Sequence, residues 1–386
     1  MNTKDYRPEI EGFTEIQREI EVLRKYGFDY TIHRGKVNQI INMLHPKRLS
    51  LQVSEVRQET RTTKTFRLVS TDAYLPPFQA GQYINLFVEV GGVRTSRPYS
   101  ITSPPNQIGY YDITVRKVED GFVSSYLVDE VKVGGKFEST SPAGNLFYNS
   151  LFHGIDLVFL AGGSGITPFM SMMREVTDRA LAREIHLIYG CQHPDDVVFG
   201  EELGDRAKRH SNLTVTKVIS HPPPGYVGLT GFITADLLRK ALGGISTKTF
   251  YICGPEDMYA FCLPELEKLG VPRRRVRREV FGPPKDVTSQ PGWPRDVSTD
   301  TRFKVKLKSG RAIAARAGEP LMISLEKAGI GIPASCRSGE CSLCRTKLIA
   351  GRVYQPRDVK LRKSDRLFGY IHPCLAYPLD DCEIMI

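Results

Sequence analysis

The sequence predicts a multi-domain protein in four parts: a short helical N-terminal extension, an antiparallel β-barrel, an α/β domain on a parallel sheet, and a small cysteine-bearing domain. Three observations predict it. At 386 residues the chain is roughly two to three times an ordinary domain. Its texture changes near residue 156 from short alternating runs to strands that alternate with helical stretches. Five of its eight cysteines lie beyond residue 335, after a proline-rich segment. Hydrophobic residues are 41% and charged residues 25%, enough apolar surface for true cores, which excludes bulk disorder. No window approaches the roughly 18 consecutive apolar residues of a membrane span, and the opening MNTKDYRPEIEG has no signal-peptide core. A cytoplasmic location is expected, where free thiols suit metal or redox work better than a disulfide scaffold.

In residues 1–48, Phe13, Ile16, Ile20 and Leu23 follow the spacing of one helix face, and Val37, Ile40, Ile41 and Leu44 repeat it before Pro46 ends the second helix. Residues 49–150 carry the runs LQVSEV, TFRLVS, YINLFVEV and DITVRKV between Gly and Pro turns, the pattern of a small antiparallel barrel. In residues 151–283 the apolar strands DLVFLAGG, EIHLIYG, LTVTKVIS and TFYICG alternate with helical stretches, the pattern of a parallel sheet with crossover helices. Residues 284–301, with Pro284, Pro291 and Pro294 and no apolar period, read as a stiffened linker. Residues 302–386 open on the alternating RFKVKL and form the last domain.

There Cys336, Cys341 and Cys344 stand as C-x4-C-x2-C, with Cys374 thirty residues further on. This is the spacing of a plant-type [2Fe–2S] site, in which one loop wraps the core with three soft thiolates and a distant fourth closes the cage. Gly339, Ser338 and Ser342 are small enough to let backbone N–H groups reach the sulfurs. Structural zinc favours paired C-x2-C knuckles instead. Cys382 reads as a buried structural thiol and His372 as no ligand.

Gly162, Gly163 and Gly165 fall between an apolar strand and a helix, where bare backbone can approach a pyrophosphate at the helix N-terminus. Some ninety residues on, Cys253-Gly254-Pro255 ends another strand, and two strand ends of one parallel sheet share a crevice. Upstream, Arg97 and Tyr99 alternate onto one face of a strand and Ser100 follows, a cation, a ring and a hydroxyl suited to a phosphate and a flat cofactor. Gly121 and Ser124 form a second candidate phosphate loop.

With these residues in view, residues 302–386 resemble the plant-type ferredoxin domain, a β-grasp fold, although such domains are commonly acidic and this one is basic. Residues 50–283 are similar to the ferredoxin–NADP reductase superfamily: R-x-Y-S at Arg97–Ser100, G-x-x-S at Gly121–Ser124, G-G-x-G-I-T-P at Gly162–Pro168, C-G-P-x-x-M at Cys253–Met258 and E-x-F at Glu279–Phe281. The order resembles the reductase components of ring-hydroxylating oxygenases. The resemblance implies that Arg97, Tyr99 and Ser100 bind FAD, with Ser100 near flavin N5. It implies that Gly121 and Ser124 assist, that Gly162, Gly163, Gly165, Thr167, Pro168, Gly254 and Pro255 bind the dinucleotide, that Cys253 lies near the nicotinamide, and that Phe281 touches the cofactors. FMN remains an alternative to FAD. A chain of this kind would be an NADH-dependent flavoprotein reductase passing electrons through its cluster to a separate acceptor. The alternative is an electron-transfer or regulatory subunit of a larger redox complex, held through residues 1–48 and able to run toward NAD(P)+ reduction.

NADH is expected over NADPH because Gln192 and His193 stand where an arginine would pair a 2′-phosphate, and Asp195 and Asp196 are negative. The net charge is +10, and residues 302–386 hold 16 Lys and Arg against 8 Asp and Glu, so +8 lies on the last domain. An acidic acceptor protein, such as a terminal oxygenase or other metalloenzyme, is therefore expected to dock there, on Arg337, Arg345, Arg357, Lys360, Arg362 and Lys363. The arginine run at Arg273–Arg275, Arg277 and Arg278 has no aromatic partners for a nucleic acid and reads as a solvated edge.

Overall fold

The computed structural model describes residues 12–27, 35–72, 74–119 and 121–386. The chain divides into two compact units, Met1–Lys47 and Arg48–Ile386. In the first, α1 (Phe13–Lys25) and α2 (Lys36–Leu44) each follow a glycine in the left-handed conformation, Gly12 and Gly35. The second helix stops two residues before Pro46, since a proline ring crowds helical backbone just upstream of it. Neither helix buries any residue, and Ile16, Val37, Ile40 and Ile41 are exposed.

The second unit begins with an antiparallel sheet of β1 (Leu49–Thr60), β2 (Thr63–Ser70), β3 (Tyr83–Val90), β4 (Val93–Ser100), β5 (Tyr111–Arg116) and, after α3 (Phe122–Asp129), β6 (Lys136–Ser139). Its order is β4-β3-β6-β1-β2-β5, and a bridge between Ile101 and Ile113 brings the two ends together, curling the sheet into a barrel. The alternation seen in the sequence fills its interior with Leu49, Leu51, Phe66, Leu68, Ile84, Leu86 and Ile113, and α3 closes it with Val123 and Leu127.

A parallel sheet follows, made of β7 (Asp156–Gly162), β8 (Glu184–Cys191), β9 (Leu213–Ile219), β10 (Leu229–Thr230), β11 (Thr249–Cys253) and β12 (Val276–Arg278), in the order β10-β9-β8-β7-β11-β12. The crossovers include α4 (Thr167–Asp178), α5 (Gly200–Arg209), α6 (Ala235–Leu242) and α7 (Glu256–Lys268). Both faces are buried, Phe159, Phe169 and Tyr251 on one and Val158, Ile188 and Phe250 on the other, as a helix-covered parallel sheet requires. The chain runs outward from β7 to β10 and then returns to β11 on the other side of β7. This reversal opens a crevice at the carboxyl ends of β7 and β11.

The last sheet contains β13 (Arg302–Leu307), β14 (Ala312–Arg316), β15 (Thr346–Ala350), β17 (Tyr370–Ile371) and β19 (Cys382–Met385), with β16 (Val353–Tyr354) and β18 (Tyr377–Pro378) paired beside it. The strand β13 runs parallel to β19 and antiparallel to β14. Two helices accompany it: α8 (Leu321–Lys327) packs through Leu321, Met322 and Leu325, and α9 (Lys363–Leu367) precedes β17. Cys382 is buried on β19, as expected.

The stretch 284–301 is more than a spacer. Val287 and Trp293 are buried, and the Trp293 ring meets Tyr354 and Tyr377 edge-on at 5.2 and 6.0 Å. One indole buries enough area to tie the segment to the last domain. Its partners lie far downstream, so no local period announces it.

Candidate functional site

At the crevice, β7 passes through Gly162 into a tight turn over Gly163–Ile166, and α4 starts at Thr167 and Pro168. A Cβ on Gly162 would lie 2.6 Å from the Met258 sulfur, and one on Gly165 would run into the Cys253 carbonyl. The glycines therefore serve first to let two strand ends touch, which brings Gly162, Gly163 and Gly165 against Cys253, Gly254 and Pro255. The Thr167 hydroxyl donates to the Ser164 carbonyl at 3.0 Å, and the N-terminus of α4 faces the opening. The Cys253 thiol is buried and pushed well up, by burial first and then by Glu279. Gln192, His193 and Asp195 are exposed just beyond β8.

Two residues here escaped the sequence reading. The Tyr189 hydroxyl, buried on β8, donates to the Gly163 carbonyl at 2.8 Å. Arg116, at the end of β5, reaches across from the barrel: its Nη1 is 3.0 Å from the place of a Gly163 Cβ, and its Nη2 pairs with Asp196 at 3.3 Å. The alternation of ITVRKV places Arg116 at a strand end, but only the fold shows which loop it meets.

On β4, Arg97 donates from Nη1 to the Thr95 hydroxyl and the Ser96 carbonyl, both at 2.8 Å. Burial and the nearby Arg337 hold its guanidinium below the ordinary range. Burial likewise raises the Tyr99 phenol. The Ser100 Oγ is buried and has no partner. Opposite Ser100, on β3, Tyr83 meets the Phe281 ring edge-on at 6.3 Å. Gly144 packs on Tyr83 and leaves room for Glu279, whose Oε2 is also buried without a partner. Burial, then Glu340 and Cys336, push the Glu279 carboxyl up to about 8. Two orphaned polar atoms among tyrosine and phenylalanine rings, where three domains meet, fit a flat heteroaromatic group with a polar edge. Gly121 caps α3, and the Ser124 hydroxyl accepts the Val118 N–H at 3.1 Å.

The four cysteines of the last domain come together in two pairs. The Cys344 and Cys374 sulfurs are 3.5 Å apart. Cys341 donates to Cys336, which also accepts N–H bonds from Ser338, Glu340 and Cys341 at 3.3–3.4 Å. The Cys341 thiol first, and then the Ser338 and Cys341 donors, draw the Cys336 thiol below the ordinary range. Among the described residues no three His, Cys, Asp or Glu side chains converge as one metal ion requires. Two thiol pairs would instead hold a two-iron core, and the N–H donors match the outer shell that such a core requires. Buried His372 turns Nδ1 to the Gly339 carbonyl, 3.1 Å away, and is no member of either pair.

The cysteine loop leans on the barrel. Asn85 Nδ2 donates to the Ala334 carbonyl at 2.8 Å, and the Tyr83 and Ser335 hydroxyls are 3.1 Å apart. Arg337 departs from expectation: it is buried, pairs with Glu326 on α8, and donates to the Ser96 hydroxyl at 3.1 Å. It cannot greet an external partner, because the barrel covers it. Arg345 is paired with Asp365 at 2.7 Å and Lys360 with Glu340 at 2.8 Å, whereas Arg357, Arg362 and Lys363 are exposed.

Comparison with known proteins agrees with this architecture. The family model of the oxidoreductase FAD-binding domain matches residues 50–148, that of the oxidoreductase NAD-binding domain residues 159–263, and that of the 2Fe-2S iron-sulfur cluster binding domain residues 305–379. The chain is 27% identical to the glycine betaine monooxygenase reductase subunit of Pseudomonas aeruginosa, over 86% of this chain and 93% of that protein. It is 30% identical to the ferredoxin reductase component of the 3-ketosteroid-9-alpha-monooxygenase of Mycobacterium tuberculosis, over 86% and 94%. Among solved structures, phthalate dioxygenase reductase, described as a modular structure for electron transfer from pyridine nucleotides to [2Fe–2S], aligns with a TM-score of 0.64 at 26% identity over 88% of this chain and 97% of that one. The chain belongs to the ferredoxin–NADP reductase superfamily of oxidoreductases, as a member that joins FAD-binding, NAD-binding and plant-type [2Fe–2S] domains in one polypeptide.

Proposed function

We propose that this chain takes electrons from NADH, passes them through FAD to a [2Fe–2S] cluster, and delivers them singly to a separate acidic acceptor protein, with an oxygenase component the best candidate. The observation that carries this is the junction around Tyr83. The Ser335 hydroxyl on the cysteine loop, the strand that ends at Ser100, and the Glu279–Phe281 segment all meet it. When bound, the flavin converts a two-electron hydride into the single electrons that an iron–sulfur centre accepts.

The protein supplies position. Arg97 offers a cation and Tyr99 a ring for the flavin, while the unpartnered Ser100 hydroxyl supplies a hydrogen bond at its polar edge. Gly121 opens α3, whose first N–H groups suit a phosphate, and Ser124 steadies that turn. The Gly162–Pro168 turn and the α4 N-terminus take the dinucleotide phosphates, aided by Arg116. Gly254 and Pro255 form the facing wall, and the buried Cys253 shapes the nicotinamide end. Glu279, largely protonated near neutral pH, can hold a proton beside the flavin site. Cys336, Cys341, Cys344 and Cys374 hold the cluster. Asp195 and the missing arginine beyond β8 favour NADH.

Anaerobic NADH titration tests this reading. The flavin and cluster absorbances should both bleach in the unmodified protein. In Cys341→Ser the cluster should be lost while flavin bleaching survives. A colourless protein with zinc in place of iron would overturn it.

A further inference from the structure

One arm of the cysteine loop is covered and the other is open. Ala334 and Arg337 are buried against β3 and β4, whereas Cys341 is the exposed member of the four cysteines and Leu343 beside it is 52% exposed. Beside the loop lies a solvent-open groove of about 400 Å3 between residues 353–361 and β17. Val353, Val359 and Leu361 supply apolar walls, with Arg357 and Arg366 among its lining. Val359 also touches the cysteine loop: its methyl lies 3.2 Å from the place of a Gly339 Cβ, and the next N–H, of Lys360, donates to the Gly339 carbonyl at 3.0 Å. A single layer of side chains thus separates the groove from the loop that carries the thiols.

The rim is equally distinctive. Where α9 ends, Leu367 and Phe368 are 75% and 67% exposed. Arg362 and Lys363 open the same helix, and neither they nor Arg357 have an acidic partner within ion-pair distance among the described residues, whereas Lys360 between them pairs with Glu340. Cations left unpaired together, around exposed apolar side chains, match an interface with an apolar centre and a charged rim.

We propose that this groove and the α9 rim are the docking surface for the electron acceptor, a protein that presents an apolar projection flanked by carboxylates. The inference rests on the redox function proposed above. At each encounter one electron leaves and one acceptor centre is reduced by one, with no bond made or broken, so one NADH serves two encounters. The rim charge speeds the encounter, and the small apolar contact lets the partner leave again.

The test uses two haem proteins of opposite charge as acceptors, the acidic cytochrome b5 and the basic cytochrome c, mixed with the NADH-reduced holoprotein. Replacing Arg357, Arg362 and Lys363 by Glu should slow transfer to cytochrome b5 by about tenfold or more at low salt and speed transfer to cytochrome c. Flavin bleaching by NADH should stay unchanged. Arg273→Glu with Arg274→Glu, on the edge of the parallel sheet, alters net charge elsewhere and should have little effect. In about 1 M salt, where the Debye length is about 3 Å, Leu367→Ser with Phe368→Ser should still lower the cytochrome b5 rate. Carbodiimide coupling, which joins an amine to a carboxylate in contact, should map cytochrome b5 onto Lys363. Equal effects from the Arg273/Arg274 control, or crosslinks only to lysines of the other domains, would overturn the surface. If NADH fails to bleach the cluster of the unmodified protein, the underlying redox reading fails instead.

Discussion

Arg337 and Glu326 form a buried ion pair that belongs wholly to the last domain yet is sealed by the barrel. Thr95 donates to the carboxylate at 2.9 Å, and the guanidinium donates to Ser96 at 3.1 Å. Arg337 adopts φ +54° to make this contact, a conformation that a non-glycine residue keeps only where its surroundings hold it. The pair lets the cysteine loop lie on the barrel without a lone buried charge.

Breaking this pair from one side should therefore be costly. Glu326→Ala leaves Arg337 buried and uncompensated, and about 3–5 kcal/mol of stability should be lost in denaturant unfolding. Replacing both residues by methionine should restore most of it. In that double variant NADH should still reduce the flavin at the normal rate, while stopped-flow absorbance shows slower onward transfer to the cluster, because the Thr95 and Ser96 contacts that position the loop are gone. Unaltered transfer would show that the pair serves stability only.

Tyr189→Phe removes the hydroxyl that holds the Gly163 carbonyl and loosens the glycine turn. A typical hydrogen bond is worth about 0.5–1.5 kcal/mol net, so KM for NADH should rise by up to roughly tenfold with kcat little changed. A fall in kcat at unchanged KM would assign Tyr189 to the chemical step instead.

Dinucleotide choice should respond to Gln192→Arg. The position is exposed beyond β8, and a guanidinium there can pair a 2′-phosphate. The ratio of kcat/KM for NADPH over NADH should increase by about tenfold or more, as a charge-assisted pair of about 1.5–3 kcal/mol would give. An unchanged ratio would place the 2′-hydroxyl elsewhere.

His153 sets a pH dependence of stability. Its Nδ1 accepts from the Asn149 N–H at 3.1 Å and from the Tyr251 hydroxyl at 2.6 Å, with Tyr148 and Arg277 also close. Protonating Nδ1 would break the bond from the Asn149 N–H, and burial followed by Arg277 lowers its pKa from the ordinary 6.5. The folded protein thus binds this proton less well than the unfolded chain. The contribution is present above about pH 6.5 and is lost as pH falls toward the depressed value, at up to about 1.4 kcal/mol per pH unit. His153→Asn should have a lower melting temperature near pH 8 and a flatter acid limb below pH 6.5. Parallel limbs in the two proteins would remove the role.

What the sequence by itself determined is what local pattern encodes. Alternation marked the strands of the barrel, continuous apolar runs marked the parallel sheet, and the Cys336–Cys344 spacing marked the cluster loop, because each depends on neighbours a few residues apart. Even the pairing of the glycine turn with Cys253–Pro255 was legible, since strands of one parallel sheet end at one edge. Only the tertiary structure decided which charges remain free. Arg337 and Arg362 look alike in sequence, but one is buried under Thr95 and Ser96, more than two hundred residues away along the chain, and the other is exposed at the start of α9. Trp293 in the proline-rich segment and Arg116 beside Gly163 follow the same rule. Burial and ion pairing between distant segments are properties of the packed chain, and no window of sequence holds both partners at once.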